Sequence, residues 1–229
     1  ESQYLLALSD AGIVRELTQE EKEKLASFGP TMSLVDGDKV KKIEIETRHD
    51  VKAMERAFRT MLSGTSLEDL TESIHFGLTS EDVNNLAYRL MLTRATEKVM
   101  IPTLHLVVTG ITARAEQYKS IPMLARTHGQ PAVPTTVGKE LVVFADRLHG
   151  QVQELQARRL HGKLSGAVGN FNALHFTYPD VDWIATTQHF VESFNLHYHA
   201  YTTQIEPHDY LVQFCNILSH FNNILIGLC

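Results

Sequence analysis

The sequence predicts an all-α protein, a small N-terminal helical domain followed by a domain of long helices. Three observations carry that prediction. Apolar residues recur every three to four positions over several long stretches, capping signals precede them, and period-two strand patterns are nearly absent. The expected division is residues 1–68 for the first domain and 69–229 for the second.

The elements follow in order. "ESQYLLALSDAG" reads as a helix closing on Gly12, and "TQEEKEKLASFG" as a helix opened by a capping Thr18. "DGDKV", residues 36–40, reads as a turn. A helix is expected from about Asp50 through "AMERAFRTML", ended by "SGTS". Beyond it, Val83, Leu86, Leu90, Leu104, Val107 and Ile111 form a helical stripe, with Pro102 as a kink because it lacks an N–H. Residues 137–160 and 208–229 give two more long helices. The last of these carries Leu211, Phe214, Leu218, Phe221, Leu225 and Leu228 on one face. That helix is still amphipathic at its end and has no polar stop. The expectation is a chain that continues, or a face covered by another subunit. Glu1 is not a natural start, so residues upstream are expected too.

Composition excludes several classes. An apolar fraction of 43% with 21% charged residues is that of a soluble globular protein. A net charge of −6 argues against a nucleic-acid partner, which would need a basic stripe. No run of about 18 uninterrupted apolar residues suggests a membrane span. Cys215 and Cys229 fit a reducing, cytoplasmic setting.

Four polar stretches interrupt the helices, at their ends or in loops. In "TRHDVK" a capping Asp50 beside an incidental His49 needs no ligand. In "SIHFGLTSEDVNN", Thr79 to Asp82 fits a capping box, while the hydroxyls of Thr79 and Ser80 with free N–H groups would equally suit an anion. His75, a turn earlier, reads as a packed histidine. In "LARTHGQPAVPTT" a rigid polar loop surrounds His128, held by Gly129, Pro131 and Pro134; an imidazole fixed there can give or take a proton. The fourth is a pair, "GKLSGAVGNFNA" with Asn170 and Asn172, and "YTTQIEPHDY" with Gln204, Glu206 and His208. Its glycines lack phosphate-loop spacing. No nucleophile elbow or zinc-protease motif is present. His197 and His199 have no acidic or cysteine partner at metal spacing, so no metal is assigned.

Taken together, "TRHDVKA", "HFGLTSEDVNNLA", "RTHGQPAVPTTVGKE", "GAVGNFNA", "YPDVDW" and "TTQIEPHDY" resemble, in order, the adenylosuccinate lyase family of the fumarase/aspartase superfamily. The resemblance implies an all-helical fold, a homotetramer with active sites shared between subunits, and no cofactor. It implies cleavage of a C–N bond with release of fumarate. The substrates would be adenylosuccinate, giving AMP, and succinylaminoimidazole carboxamide ribotide, both intermediates of purine biosynthesis. Carried over by position, His128 is the general acid. Arg48, His49, Asp50, Thr79, Ser80, Thr127 and Gln204 contact substrate, and His75, Lys52, Asn84 and Asn170 support them. Arg48 departs from the asparagine frequent in relatives, so the contact there is expected to be altered. The family's "SSxMPxKxNP" loop, whose serine is the base, does not occur in this sequence, so the chain alone is not expected to be a complete catalyst. The competing readings are a lyase acting on argininosuccinate, aspartate or malate, and a catalytically silent helical oligomerisation module.

Overall fold

The computed structural model describes residues 1–229. It is helical as expected: α1 Ser2–Asp10, α2 Gln19–Thr31, α3 Leu34–Thr47, α4 Asp50–Leu62, α5 Ser80–Ala95, α6 Ile101–Gln117, α7 Val137–Ala157, α8 Asn172–Thr177, α9 Trp183–Glu192 and α10 Asp209–Leu228. A 3₁₀ turn spans Glu68–Ser73 and a π turn spans Thr96–Met100. Two small sheets complete it. Strands β1 (Pro122–Thr127) and β2 (Gln130–Thr136) pair antiparallel, while β3 (His161–Gly162) and β4 (His197–Tyr198) pair parallel.

The chain forms two compact units interleaved in sequence, one of residues 1–89 and 161–207, the other of 90–160 and 208–229. The expected domains were consecutive blocks; the contacts group the chain differently, because its middle leaves one unit and its end returns to the other.

In the first unit, Thr18 caps α2 through a reciprocal box with Glu21. The expected turn at residues 36–40 is instead helical. Ser33 and Asp36 form a second capping box, which starts α3 before the Asp-Gly-Asp signal can act as a turn. No residue of α3 is buried, so its cap and its packing against α4 account for it. Arg15 ties the start of α2 to the turn that follows α4. Its guanidinium donates to both Glu21 oxygens at 2.9 Å, to Asp69 Oδ2 at 2.7 Å and to the Ser66 carbonyl at 2.7 Å. The Arg15 hydrogen bonds, aided by the Thr18 N–H, lower the Glu21 carboxyl from 4.5 to about 2. A lowered folded pKa adds stability that is complete above the unfolded value and is lost as pH falls through the folded one. Glu21→Gln is therefore expected to be less stable than the parent at pH 7, with the gap closing between pH 4.5 and about 2. Urea midpoints of both proteins across that range check this; a pH-independent gap would remove the ion pair as its cause.

In the second unit, α6, α7 and α10 pack around Val108, Leu148, Val152, Phe221 and Ile224, flanked by Leu104, Val107, Ile111, Phe144 and Leu225. Burying each such side chain contributes about 1.5–3 kcal/mol. The buried row of α10 is Phe214, Ile217, Phe221 and Ile224. The predicted face is thus rotated by one position: Leu218 and Leu225 sit at its edge and the isoleucines at its centre. By length and composition α10 also meets the requirement for a membrane span, with mean hydropathy 1.3; Phe221 and Ile224 of its buried row belong to the core shared with α7. The break expected at Pro102 is the π turn one turn earlier, where the missing Pro N–H leaves the usual ladder incomplete.

Candidate active site

The site begins where two helices start. His49, not Asp50, caps α4: its Nδ1 accepts the Lys52 N–H at 3.2 Å, and Asp50 is the first helical residue. The roles expected from the sequence are therefore exchanged. An accepting Nδ1 places the ring proton on Nε2, which lies 3.2 Å from Ser80 Oγ at the first position of α5. The Ser80 oxygen accepts from that ring, leaving its own proton to be donated outward. Thr79 behaves alike. Its N–H donates to Asp82 Oδ2 at 2.9 Å, as in a capping box, but the Asp82 N–H goes to the Thr79 carbonyl. The Thr79 hydroxyl instead accepts from Gln204 Nε2 at 3.4 Å. Asp50 bridges the two helices, taking the Asn84 amide at 3.1 Å on Oδ2 and the Val51 N–H at 2.8 Å on Oδ1. The Val51 N–H is the main reason its carboxyl is held below the usual carboxylate range, with the Asn84 amide adding to it.

His49, Asp50, Thr79, Ser80, Asn84 and Gln204 are thus brought together at two helix N-termini. At α4 the first-turn N–H groups of Val51, Lys52 and Ala53 are already taken by Asp50, the His49 ring and the His49 carbonyl. At α5 that of Asp82 goes to the Thr79 carbonyl; the Ser80 and Glu81 N–H groups at the positive end of the α5 dipole are left for a ligand. With two hydroxyl protons directed outward, the arrangement suits a carboxylate or another small anion.

The other predicted residues lie elsewhere. Arg48 is exposed and left-handed, with φ 50° at the junction of α3 and α4. Asparagine tolerates that conformation better than most side chains, which gives a backbone reason for the asparagine expected there. The Lys52 ammonium pairs with Glu55 at 2.8 Å, and His75 Nδ1 meets Glu1 Oε1 at 2.9 Å. Asn170 accepts the Asn172 N–H at 3.3 Å ahead of α8.

Thr127 and His128 belong to the second unit. The rigid loop expected around His128 is a β-hairpin: Thr127 pairs with Gln130, leaving His128 and Gly129 as the turn, with φ of 52° and 73°. Positive φ at both central residues is the requirement of a type I′ turn. Pro131 and Pro134 are accommodated because both strands of a two-stranded ribbon are edge strands. Arg126 clamps the turn by donating to the Gly129 carbonyl at 3.1 Å, and His128 is exposed at its tip.

Beneath the α5 start lies a buried polar layer that the sequence analysis missed. Asp82 and Lys163 form a fully buried ion pair at 2.9 Å. Asn85 exchanges two hydrogen bonds with the Lys163 backbone, at 2.9 and 3.0 Å. Arg89 pairs with buried Glu206, which also meets His199 Nδ1 at 3.0 Å. These contacts dock residues 163–166 and 202–207 onto α5. Gly169 completes the fit: with φ 75°, a Cβ there would collide with the Thr202 carbonyl.

A family model described as a lyase matches residues 7–229. The chain belongs to this lyase family. Among its relatives, the adenylosuccinate lyase of Haemophilus influenzae is 45% identical over 192 residues, 83% of this chain and 42% of that protein. That of Escherichia coli K12 is 44% identical over the same shares. That of Vibrio cholerae is 39% identical over 226 residues, 98% of this chain and 50% of that protein. The chain therefore spans about half the length of these relatives, or less. A fumarate lyase from Mesorhizobium sp. BNC1 superposes on the whole chain and 51% of its own, with TM-score 0.78 at 18% identity. A β-carboxy-cis,cis-muconate cycloisomerase from Acinetobacter calcoaceticus covers 96% of the chain and 49% of its own, with TM-score 0.73 at 19% identity. At such identities the likeness shows the lyase fold and leaves the reaction open.

Proposed function

We propose that this lyase chain carries the N-terminal and central part of an adenylosuccinate lyase. Such an enzyme would release fumarate from adenylosuccinate, giving AMP, and from succinylaminoimidazole carboxamide ribotide. The observation that carries the reading is the convergence of Ser80, Thr79, His49 and Gln204 at two helix starts, an arrangement suited to a carboxylate, in a chain 45% identical over 192 residues to an adenylosuccinate lyase.

In this reading a succinyl carboxylate accepts from the Ser80 and Thr79 hydroxyls and the Ser80 and Glu81 amides at the start of α5. Asp50, held ionised, takes an N–H or O–H of the nucleotide. A base removes a proton from the carbon beside the carboxylate, and the electron pair becomes the double bond of fumarate as the C–N bond breaks. The negative charge developing on that carboxylate strengthens its bonds to the waiting donors. His128 delivers a proton to the departing nitrogen. None of the residues placed above is assigned as the base.

The protein is proposed to act in the cytoplasm as a homotetramer. Exposed Met91, Leu106, Val212 and Ile226 on the long helices, with Val99 in the π turn, support burial against further copies, and two free, exposed cysteines suit a reducing compartment.

Adding the full-length protein to adenylosuccinate tests the reading through ultraviolet absorbance. Loss of substrate absorbance with fumarate appearing is expected; no change from a folded protein would overturn the substrate assignment and favour another fumarate-releasing lyase. Ser80→Ala is expected to raise the substrate Kd by roughly tenfold or more, the loss of one hydrogen bond to a charged group. An unchanged affinity would remove Ser80 from the site.

A further inference from the structure

We propose that the buried Asp82–Lys163 ion pair is a positioning device for the anion-binding start of α5, acting on the carboxylate end of the substrate and not on its nucleotide end. The proposal rests on the carboxylate reading of Thr79 and Ser80 given above.

Asp82 is saturated. Oδ1 takes the Ser165 N–H at 3.0 Å and the Lys163 ammonium at 2.9 Å; Oδ2 takes the Thr79 N–H at 2.9 Å and the Gly166 N–H at 3.1 Å. Four donors occupy the four lone-pair directions of one carboxylate, so its position is fixed in both planes. One of those donors belongs to Thr79 itself, and two belong to the loop at residues 165–166. A single side chain thereby locks the α5 start to the loop beside it. Lys163 is fixed as firmly. Its backbone is clamped by Asn85, and its ammonium also donates to the Gly166 carbonyl at 3.0 Å.

The charge on Lys163 has a second consequence. An unpaired carboxylate one turn inside the helix start would repel an incoming carboxylate, whereas the paired one does not. Asp82 can therefore hold the backbone with the strength of an ionised acceptor without its charge opposing the ligand. Fold stability alone gives little reason for this pair, since well-packed apolar residues commonly replace a buried ion pair without loss. A positioning role accounts for charges at this place.

The two products of the proposed reaction separate the two ends of the substrate. Fumarate reports on the carboxylate end and AMP on the nucleotide end. Calorimetric Kd values for both would be measured with the full-length parent and with Asp82→Asn/Lys163→Met, a variant that leaves no buried charge unpaired. The expected result is a fumarate Kd raised roughly tenfold or more, with the AMP Kd within about twofold of the parent. Should the double variant fold poorly, Asp82→Glu keeps both charges while moving the carboxylate by one methylene, and the same contrast is expected. Equal losses for fumarate and AMP would reduce the pair to a structural element and overturn the proposal, as would no loss in either. A parent protein that binds AMP but not fumarate would overturn the carboxylate reading itself, an outcome separable from the other two.

Discussion

His128→Ala in the full-length protein is expected to lower kcat by about 100- to 10,000-fold, the span a general acid contributes, while leaving substrate affinity nearly intact. Proton delivery to the leaving nitrogen matters only in the transition state, so its loss falls on turnover and spares ground-state binding. The backbone complicates an alanine at this position. His128 has φ 52° within a type I′ turn, and alanine there adds strain that loosens the hairpin. His128→Asn is the better partner experiment, because asparagine is favoured at the first central position of such a turn and cannot act as an acid at neutral pH. Both variants should lose turnover alike, with circular dichroism matching the parent. A kcat lost by the alanine variant and kept by the asparagine variant would show that the turn, not the proton, is what His128 provides. Parallel falls in affinity and turnover in both would count equally against the acid assignment.

The fold class was legible because long helices are written in local periodicity and capping residues, and Thr18 with Glu21 shows the local rule holding in full. Local rules failed where a stronger local signal competed, as at residues 36–40, where the Ser33 cap overrode a turn-like composition. They failed again at β1–β2, whose prolines argue against a central strand but not against a two-stranded ribbon. The site was half legible. His49, Asp50, Thr79, Ser80 and Gln204 stand in recognisable stretches, and the structure joins them by hydrogen bonds. What holds them was not legible. Asp82, Asn85 and Arg89 share the buried side of α5 with Leu86, and charged residues on a helix read by default as solvated. Their counter-charges lie far along the chain, 117 residues away for Glu206, beyond any window of periodicity. The one signal available was the spacing i, i+3, i+7 of Asp82, Asn85 and Arg89, which puts three polar groups on the side the apolar stripe also claims.

Arg89→Met is expected to destabilise the protein by about 3–5 kcal/mol, a large part of the 5–15 kcal/mol typical of a whole domain. Arg89 and Glu206 are both buried, and the arginine also donates to the His161 carbonyl at 3.2 Å. Removing the guanidinium takes the cation from a buried carboxylate, which keeps only its His199 contact of those described, and takes one donor from that carbonyl, while methionine supplies no hydrogen bond in exchange. The loss should not be read as the net strength of the pair, because forming it already cost the desolvation of two ions. Arg89→Met/Glu206→Leu separates the two quantities: with both charges gone, most of the lost stability should return. Urea unfolding of the parent, both single variants and the double variant closes the cycle. A double variant as unstable as Arg89→Met would mean that the buried charges hold residues 202–207 on α5 through contacts an apolar pair cannot replace. In that case Gln204, which meets Thr79 from the same segment, would lose its place along with the stability, and substrate affinity should fall in step with the urea midpoint.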